Sequence, residues 1–311
     1  MSTPANHYVG VDVAQDTLAL AGLTPAHVSN QLAALRVWLT TLRCAQPTVH
    51  LICEATGRHH HALQLVAAEC GVPLSVINPR QARHFAQSLG RLEKTDPVDA
   101  AMLQRLGQSL QPAPTSPPPG SLRQLQDLLV VRQALVEEQT AWANRQALLS
   151  AVAARLCVRR QRTLAKELIE VETQIHALLA TPVAEPLLLR VQTLCLVCGV
   201  GERIAWSLVA GLAELGQGNR RQVAKLAGLA PLNADSGQWR GARHIAHGRA
   251  PVRRALYQAA VVAARHNEHL RPFYQRLRAN GKPAKVAYVA VARKLLVFLN
   301  RLLRDAPPLS A

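Results

Sequence analysis

The chain is poor in acids, aromatics and long apolar runs, and each shortage excludes something. Of its 311 residues only 19 are Asp or Glu, against 36 Lys or Arg. Such a balance disfavours cationic ligands at large and favours polyanions. No apolar stretch approaches the roughly 20 uncharged residues that a membrane-spanning helix needs, so no membrane partner is expected. The first residues, "MSTPANHYVGVDV", lack a basic region followed by an apolar one, so no signal peptide is read there. The six cysteines have no framework spacing and read as reduced thiols of a cytoplasmic protein. Cys195 and Cys198 form a lone Cys-x-x-Cys in an apolar helical setting, which suits core packing better than zinc. No Gly-x-Ser-x-Gly elbow and no Ser-x-x-Lys motif is present, which disfavours hydrolases of those types.

What is abundant is arginine, and its placement is uneven. Residues 1–115 carry 8 basic and 7 acidic side chains, 116–190 carry 9 and 7, and 191–311 carry 19 and 5. Nearly all of the net +17 therefore lies in the last third. Guanidinium groups suit bidentate contact with phosphate. A soluble basic protein with no polyanionic ligand is the plainer alternative.

Strand and helix patterns alternate at the start. "HYVGVDVAQDTLALAGL" reads as strand, turn, strand; "TVHLICEATG" and "GVPLSVINP" read as further strands, with helices between them. An α/β sheet with mainly parallel central strands follows. The proline-rich run "QPAPTSPPPG", 111–120, reads as a linker. Beyond it, the spacing predicts one long amphipathic helix over 121–156 and a second ending before Pro182, an antiparallel pair or coiled-coil arm. Basic, glycine-punctuated helices fill the rest. The expected domains are 1–110, an arm over 121–186, and a basic domain over 187–311.

Four acids are the first chemical signal. In "LEKTDPVDAAMLQRL", 92–106, Asp96, Pro97 and Asp99 suit a helix N-cap, first and third positions. Taken alone, the segment reads as a helix start. Asp12, however, interrupts the apolar strand "VGVDVA", where a buried acid needs compensation, and Glu54 ends "HLICE" at a strand's carboxyl end, where ligand sites of open α/β sheets gather. Were these acids to converge on one sheet edge, only cations would make them tolerable. Hard oxygen ligands select Mg²⁺ or Mn²⁺, and two such ions about 4 Å apart serve phosphoryl transfer. The consecutive His59, His60 and His61 cannot share a helix face as ligands, and they read mainly as surface residues, with room for one of them near Glu54.

A serine amid cations is the second signal. Ser236 lies in a turn-like Asp-Ser-Gly, followed by Arg240, Arg243, His244, His247, Arg249, Arg253 and Arg254. A turn serine is the plain reading; a nucleophile attacking phosphorus is the sharper one. Upstream, "LCLVCGVGERIAWSLVAGL" centres on Gly199 and Gly201, either a helix-hairpin-helix offering N–H groups to phosphate or a tight helix–helix turn.

"YVGVDVAQDTLALA", "CEATG" and "KTDPVDAAMLQRL", with the later "SG..RG...I...G...VRRAL", resemble the DEDD transposases, insertion-sequence recombinases related to the Piv invertases and often called the one-ten family. The resemblance implies a RuvC-like, RNase H-type first domain binding divalent metal through Asp12, Glu54, Asp96 and Asp99. It implies Ser236 as a nucleophile that becomes covalently linked to a DNA strand end, with donor and target DNA as partners. It further implies a structured RNA made by the element, and a homodimer assembling to a tetramer on DNA. The stretch between the first strand pair and the first helix is shorter than usual for the family, so the third strand is expected to be trimmed or absent. Two rivals stand beside this reading: a junction-resolving nuclease of the same sheet that uses water, and a non-catalytic nucleic-acid-binding protein of a decayed element.

Overall fold

The computed structural model describes residues 7–90, 96–232, 235–236, 239–240, 244–305 and 309. The chain divides into two compact units, Met1–Pro117 and Pro118–Ser310. The first holds a five-stranded sheet built from β1 (His7–Val13), β2 (Thr17–Leu20), β3 (His27–Ser29), β4 (Val49–Glu54) and β5 (Leu74–Ile77). Their order is β3-β2-β1-β4-β5. β2 pairs antiparallel with both β1 and β3, whereas β4 pairs parallel with both β1 and β5. The third strand is present but trimmed to three residues at the sheet's edge.

Alternation along the strands sends residues to two faces. Val9, Val11, Leu51 and Cys53 are buried with leucines of α1 (Leu32–Ala45) and α2 (His60–Glu69). Tyr8, Ile52 and Ile77 are buried on the other face with Ala82 of α3 (Pro79–Ser88) and Met102, Leu103 and Leu106 of α4 (Asp96–Leu110). The proline-rich stretch does not hang free of this unit. Thr115 donates its N–H to Leu74 O at 2.7 Å, and the buried Ser75 hydroxyl donates to Ala113 O at 2.8 Å. Prolines cannot complete a ladder, so side chains supplement it: Gln64 Nε2 donates to Ser116 O at 3.1 Å.

Gly10 sets how α4 lies. A Cβ there would stand 1.9 Å from Ala100 O and 2.5 Å from Gln104 N, so only glycine lets the helix backbone settle onto β1. One further bond fixes the contact, from Gln104 Nε2 to Tyr8 O at 2.9 Å. Gly10→Ala should therefore cost about 3 kcal/mol or more, since backbone rather than a flexible side chain must yield. Urea denaturation of the variant checks this, and an unchanged midpoint would refute the contact.

The second unit begins with two long helices, α5 (Gly120–Gln146) and α6 (Ala151–Leu179). The expected single helix over 121–156 is thus incorrect: it stops at Gln146 and restarts after Ser150, whose extended backbone (φ −60°, ψ 157°) occupies the N-cap position. No Gly or Pro announces this break. The apolar period runs through it, and the turn forms because the two helices pair antiparallel. Arg132 meets Glu172 at 2.9 Å and Arg160 meets Glu138 at 2.8 Å across them.

The remainder packs around α10 (Ala250–His266), whose Ala259, Ala260 and Ala263 are fully buried. Against it lie α8 (Glu202–Gly211), α11 (Leu270–Ala279) and α12 (Ala284–Leu302), with α7 (Glu185–Cys195) and α9 (Arg220–Leu226) completing the unit. Small residues on α10 permit close backbone approach. Gly199, at φ +102°, would place a Cβ 2.8 Å from Ala259 O.

Candidate active site

The acids of the first unit are ordered by strand register. Val11 pairs with Cys53 in the parallel ladder of β1 and β4. Asp12 and Glu54 each follow by one residue, at the same level of adjacent strands about 4.8 Å apart. Both are half-buried. By alternation they share the face of Gly10 and Ile52, the face covered by α4.

The direction of α4 supplies the next acids. Near its end, Gly107 abuts Ile52 and Tyr8; nearer its start, Ala100 and Gln104 abut Gly10. The helix therefore runs antiparallel to β1, and its first turn, with Asp96 and Asp99, points toward the carboxyl ends where Asp12 and Glu54 stand. Asp99 is half-buried; the Asp96 side chain lies outside the described residues. Among the described residues, no three His, Cys, Asp or Glu side chains stand together as a metal-holding group. The β1–β4 register sets the backbones of Asp12 and Glu54 level with each other, and α4 begins on the same face of the sheet.

Neighbours buttress this end of the sheet. Asn30 Nδ2 donates to Ala14 O and to His59 O, both at 3.0 Å, tying the loop after β1 to the loop after β4. Of the three histidines His59 is exposed, as read, whereas His60 is buried, because it opens α2 facing inward. Burial, followed by the charge of His61, lowers its pKa to about 4, so it is neutral at neutral pH. Burial, with Glu54 adding to it, pushes the Cys53 thiol up to about 12, which removes it as a nucleophile.

The serine of the second unit sits in nested antiparallel strands. β6 (Pro231–Leu232) pairs with β9 (His244–Ile245), and between them β7 (Asp235–Ser236) pairs with β8 (Trp239–Arg240), Ser236 opposite Trp239. The side chains of Ser236 and Arg240, and all of Arg243, lie outside the described residues. The base of this hairpin is braced. Gly228 and Gly248, at φ +68° and +66°, touch so closely that a Cβ on Gly248 would stand 2.2 Å from Gly228 N. His247 is held at φ +63°, unusual for a residue with a side chain, and its carbonyl accepts from Arg253 Nη1 at 2.5 Å.

Two family models match these regions. A transposase model for the DEDD enzymes covers residues 9–153, and one described as "Transposase IS116/IS110/IS902 family" covers residues 191–275. The chain belongs to this transposase family. It is also 28% identical to the pilin gene-inverting proteins of Moraxella lacunata and Moraxella bovis, in each case over 97% of both chains. The transposase is thus a DNA-recombining enzyme, and DNA is its partner.

The basic residues of the transposase divide into those committed within the fold and those facing outward. Arg249 is committed: it grips Glu214 with both amino groups at 2.6 Å and donates to Gly211 O. Burial would raise the Glu214 pKa, but the Arg249 hydrogen bonds outweigh it and hold the carboxyl below its usual range. Arg254 is 61% exposed and only 3.9 Å from the equally exposed Glu137, a pair worth little in water. Gly199 serves packing against α10, while Gly201 is exposed at the N-cap of α8. Arg132 and Arg160, on the arm, are engaged with Glu172 and Glu138. Reading the sequence missed Gly10, Asn30, Gln104 and Glu214, of which Gly10 alone carried a visible signal, as a glycine inside a strand.

No helix among the described residues is long and apolar enough to cross a membrane.

Proposed function

We propose that this transposase cuts and rejoins DNA through a phosphoserine link, with Ser236 as nucleophile and Asp12, Glu54, Asp96 and Asp99 as ligands of divalent metal on an RNase H-like sheet. The observation that carries this is the register of β1 and β4 under an antiparallel α4, which supports four distant acids serving one strand end. An antiparallel β1-β2-β3 followed by parallel β4 and β5 supports the RNase H-like assignment.

Ser236 Oγ gives up its proton and attacks phosphorus. The Oγ–P bond forms as the P–O bond to the leaving sugar oxygen breaks, and that oxygen takes a proton. A sugar hydroxyl of another strand then attacks the same phosphorus, restoring a phosphodiester and freeing the serine. Mg²⁺ or Mn²⁺ bound by the carboxylates would supply Lewis-acid stabilisation of the charge developing on phosphate oxygens. The outward-facing His247 and Arg254, with Arg240, Arg243 and Arg253, hold the strands.

The same cationic third serves an element-encoded structured RNA that selects donor and target. Exchange of several strands calls for a dimer assembling to a tetramer; the exposed Val130, Val131, Val152, Leu156 and Ile169 on α5 and α6 support a seam between copies. The central test is covalent trapping of DNA on Ser236.

A second measurement tests the DNA-holding surface. Arg254→Gln should weaken duplex binding severalfold and lower the slope of log K against log salt by about 1. Equal slopes for variant and parent would remove Arg254 from the phosphate contacts.

A further inference from the structure

Beside the base of the serine hairpin, α9, α11 and α12 enclose an open groove of about 1020 Å³ that the proposed chemistry leaves unused. Its floor is aliphatic, with Leu229, Ile245, Val289, Ala290 and Val297. Its rim carries Arg220, Arg221, His244, Lys285, Arg293 and Lys294, and among the described residues no acid lines it. Lys294 Nζ stands 4.7 Å over the Phe273 ring, which holds that ring as part of the wall. Val286 on the lip is half exposed. An apolar slot edged with arginines and lysines is complementary to an amphiphilic anion: something flat and weakly polar joined to phosphates.

Position decides which anion. Pro231 and His244–Ile245, which form one wall, are the paired strands β6 and β9 that carry the Ser236 hairpin. Ser236 follows Pro231 by five residues, at most about 17 Å of chain, so a strand bound at the serine has this groove within its reach. Moving strands between duplexes obliges the bases next to the cut to leave their partners, and unstacked bases expose apolar faces that need cover. We propose that this groove receives an unpaired DNA nucleotide beside the cut, its base over Val289 and Ala290 and its flanking phosphates on Arg293, Lys285 and Arg221. The proposal rests on the recombinase reading but concerns binding, so the two fail separately.

The test uses the full chain and fluorescent oligonucleotides of one sequence, as single-stranded DNA, single-stranded RNA and blunt DNA duplex. Ala290→Trp fills the floor, and Arg293→Gln removes an exposed rim charge with little risk to folding. Each should weaken single-stranded DNA about tenfold while leaving duplex binding within about twofold. Weakening of DNA, whether or not RNA follows, supports the proposal. Equal losses on duplex and single strand, no loss at all, or loss on RNA alone overturns it. No change for any oligonucleotide would also point to a protein segment as the groove's occupant. Should Ala290→Trp fail to fold by circular dichroism, Arg293→Gln decides alone. Single-strand losses in a protein that forms no Ser236 adduct would leave the groove standing and sink the serine.

Discussion

Ser236→Ala is expected to yield no covalent protein–DNA adduct and to lower strand cutting by about 10⁴-fold or more, the scale of loss when a covalent nucleophile is deleted. The reasoning is chemical rather than positional. Alanine keeps the backbone of β7 and the pairing of Ser236 with Trp239, which uses main-chain groups alone. It removes only the oxygen that would bond to phosphorus. Binding to duplex DNA should therefore stay within about twofold, because phosphate contacts come from cations elsewhere. The assay is denaturing electrophoresis of labelled DNA after reaction with Mg²⁺, on a substrate whose cut strand cannot be rejoined. A slow-migrating band should appear for the parent and not for the variant. Ser236→Cys, which retains a nucleophile, provides a second reading, since a thiolate link would survive denaturation too. Normal cutting by Ser236→Ala would hand the reaction to water and make the enzyme a nuclease of the resolvase kind.

Such an experiment can be framed because parts of the site are legible without coordinates. Asp12 stands out since an acid in "VGVDV" is anomalous, and Glu54 since it ends a strand. Their juxtaposition requires the parallel register of β1 and β4, which depends on α1 crossing between them. The placement of Asp99 depends on Gly10 and Gly107, glycines whose meaning emerges only when α4 is seen pressed on the sheet. Local chemistry misleads where a distant partner intervenes. Arg249 reads as a phosphate ligand within its basic cluster, yet Glu214, 35 residues away, claims it. His60 sits in a polar-looking triplet but faces inward, because α2 must bury one side. The break between α5 and α6 leaves no trace in periodicity, since both helices keep their apolar stripe up to the turn.

The second large effect concerns the carboxylates. Asp12→Asn and Glu54→Gln should each abolish metal-dependent cutting, by about 10³-fold or more, while leaving duplex affinity nearly unchanged. Each replacement keeps the shape but turns one acceptor oxygen into an NH2 donor and removes the charge that a hard divalent cation requires. If the acids instead compensated one another within the fold, removing a charge would alter folding stability. A pair at neighbouring positions on adjacent strands, both half-buried, repels when both are ionised. The stability of the metal-free variants reads how far that repulsion is offset within the fold. Thermal melts with and without Mn²⁺ separate the cases. The parent should gain stability on adding the ion, as ligand linkage demands, and both variants should lose that gain. Loss of stability without metal, or loss of DNA binding, would mean that Asp12 and Glu54 serve the architecture of the sheet. Retention of both, with cutting and the Mn²⁺ shift gone, ties the strand ends of β1 and β4 to the chemistry at phosphorus.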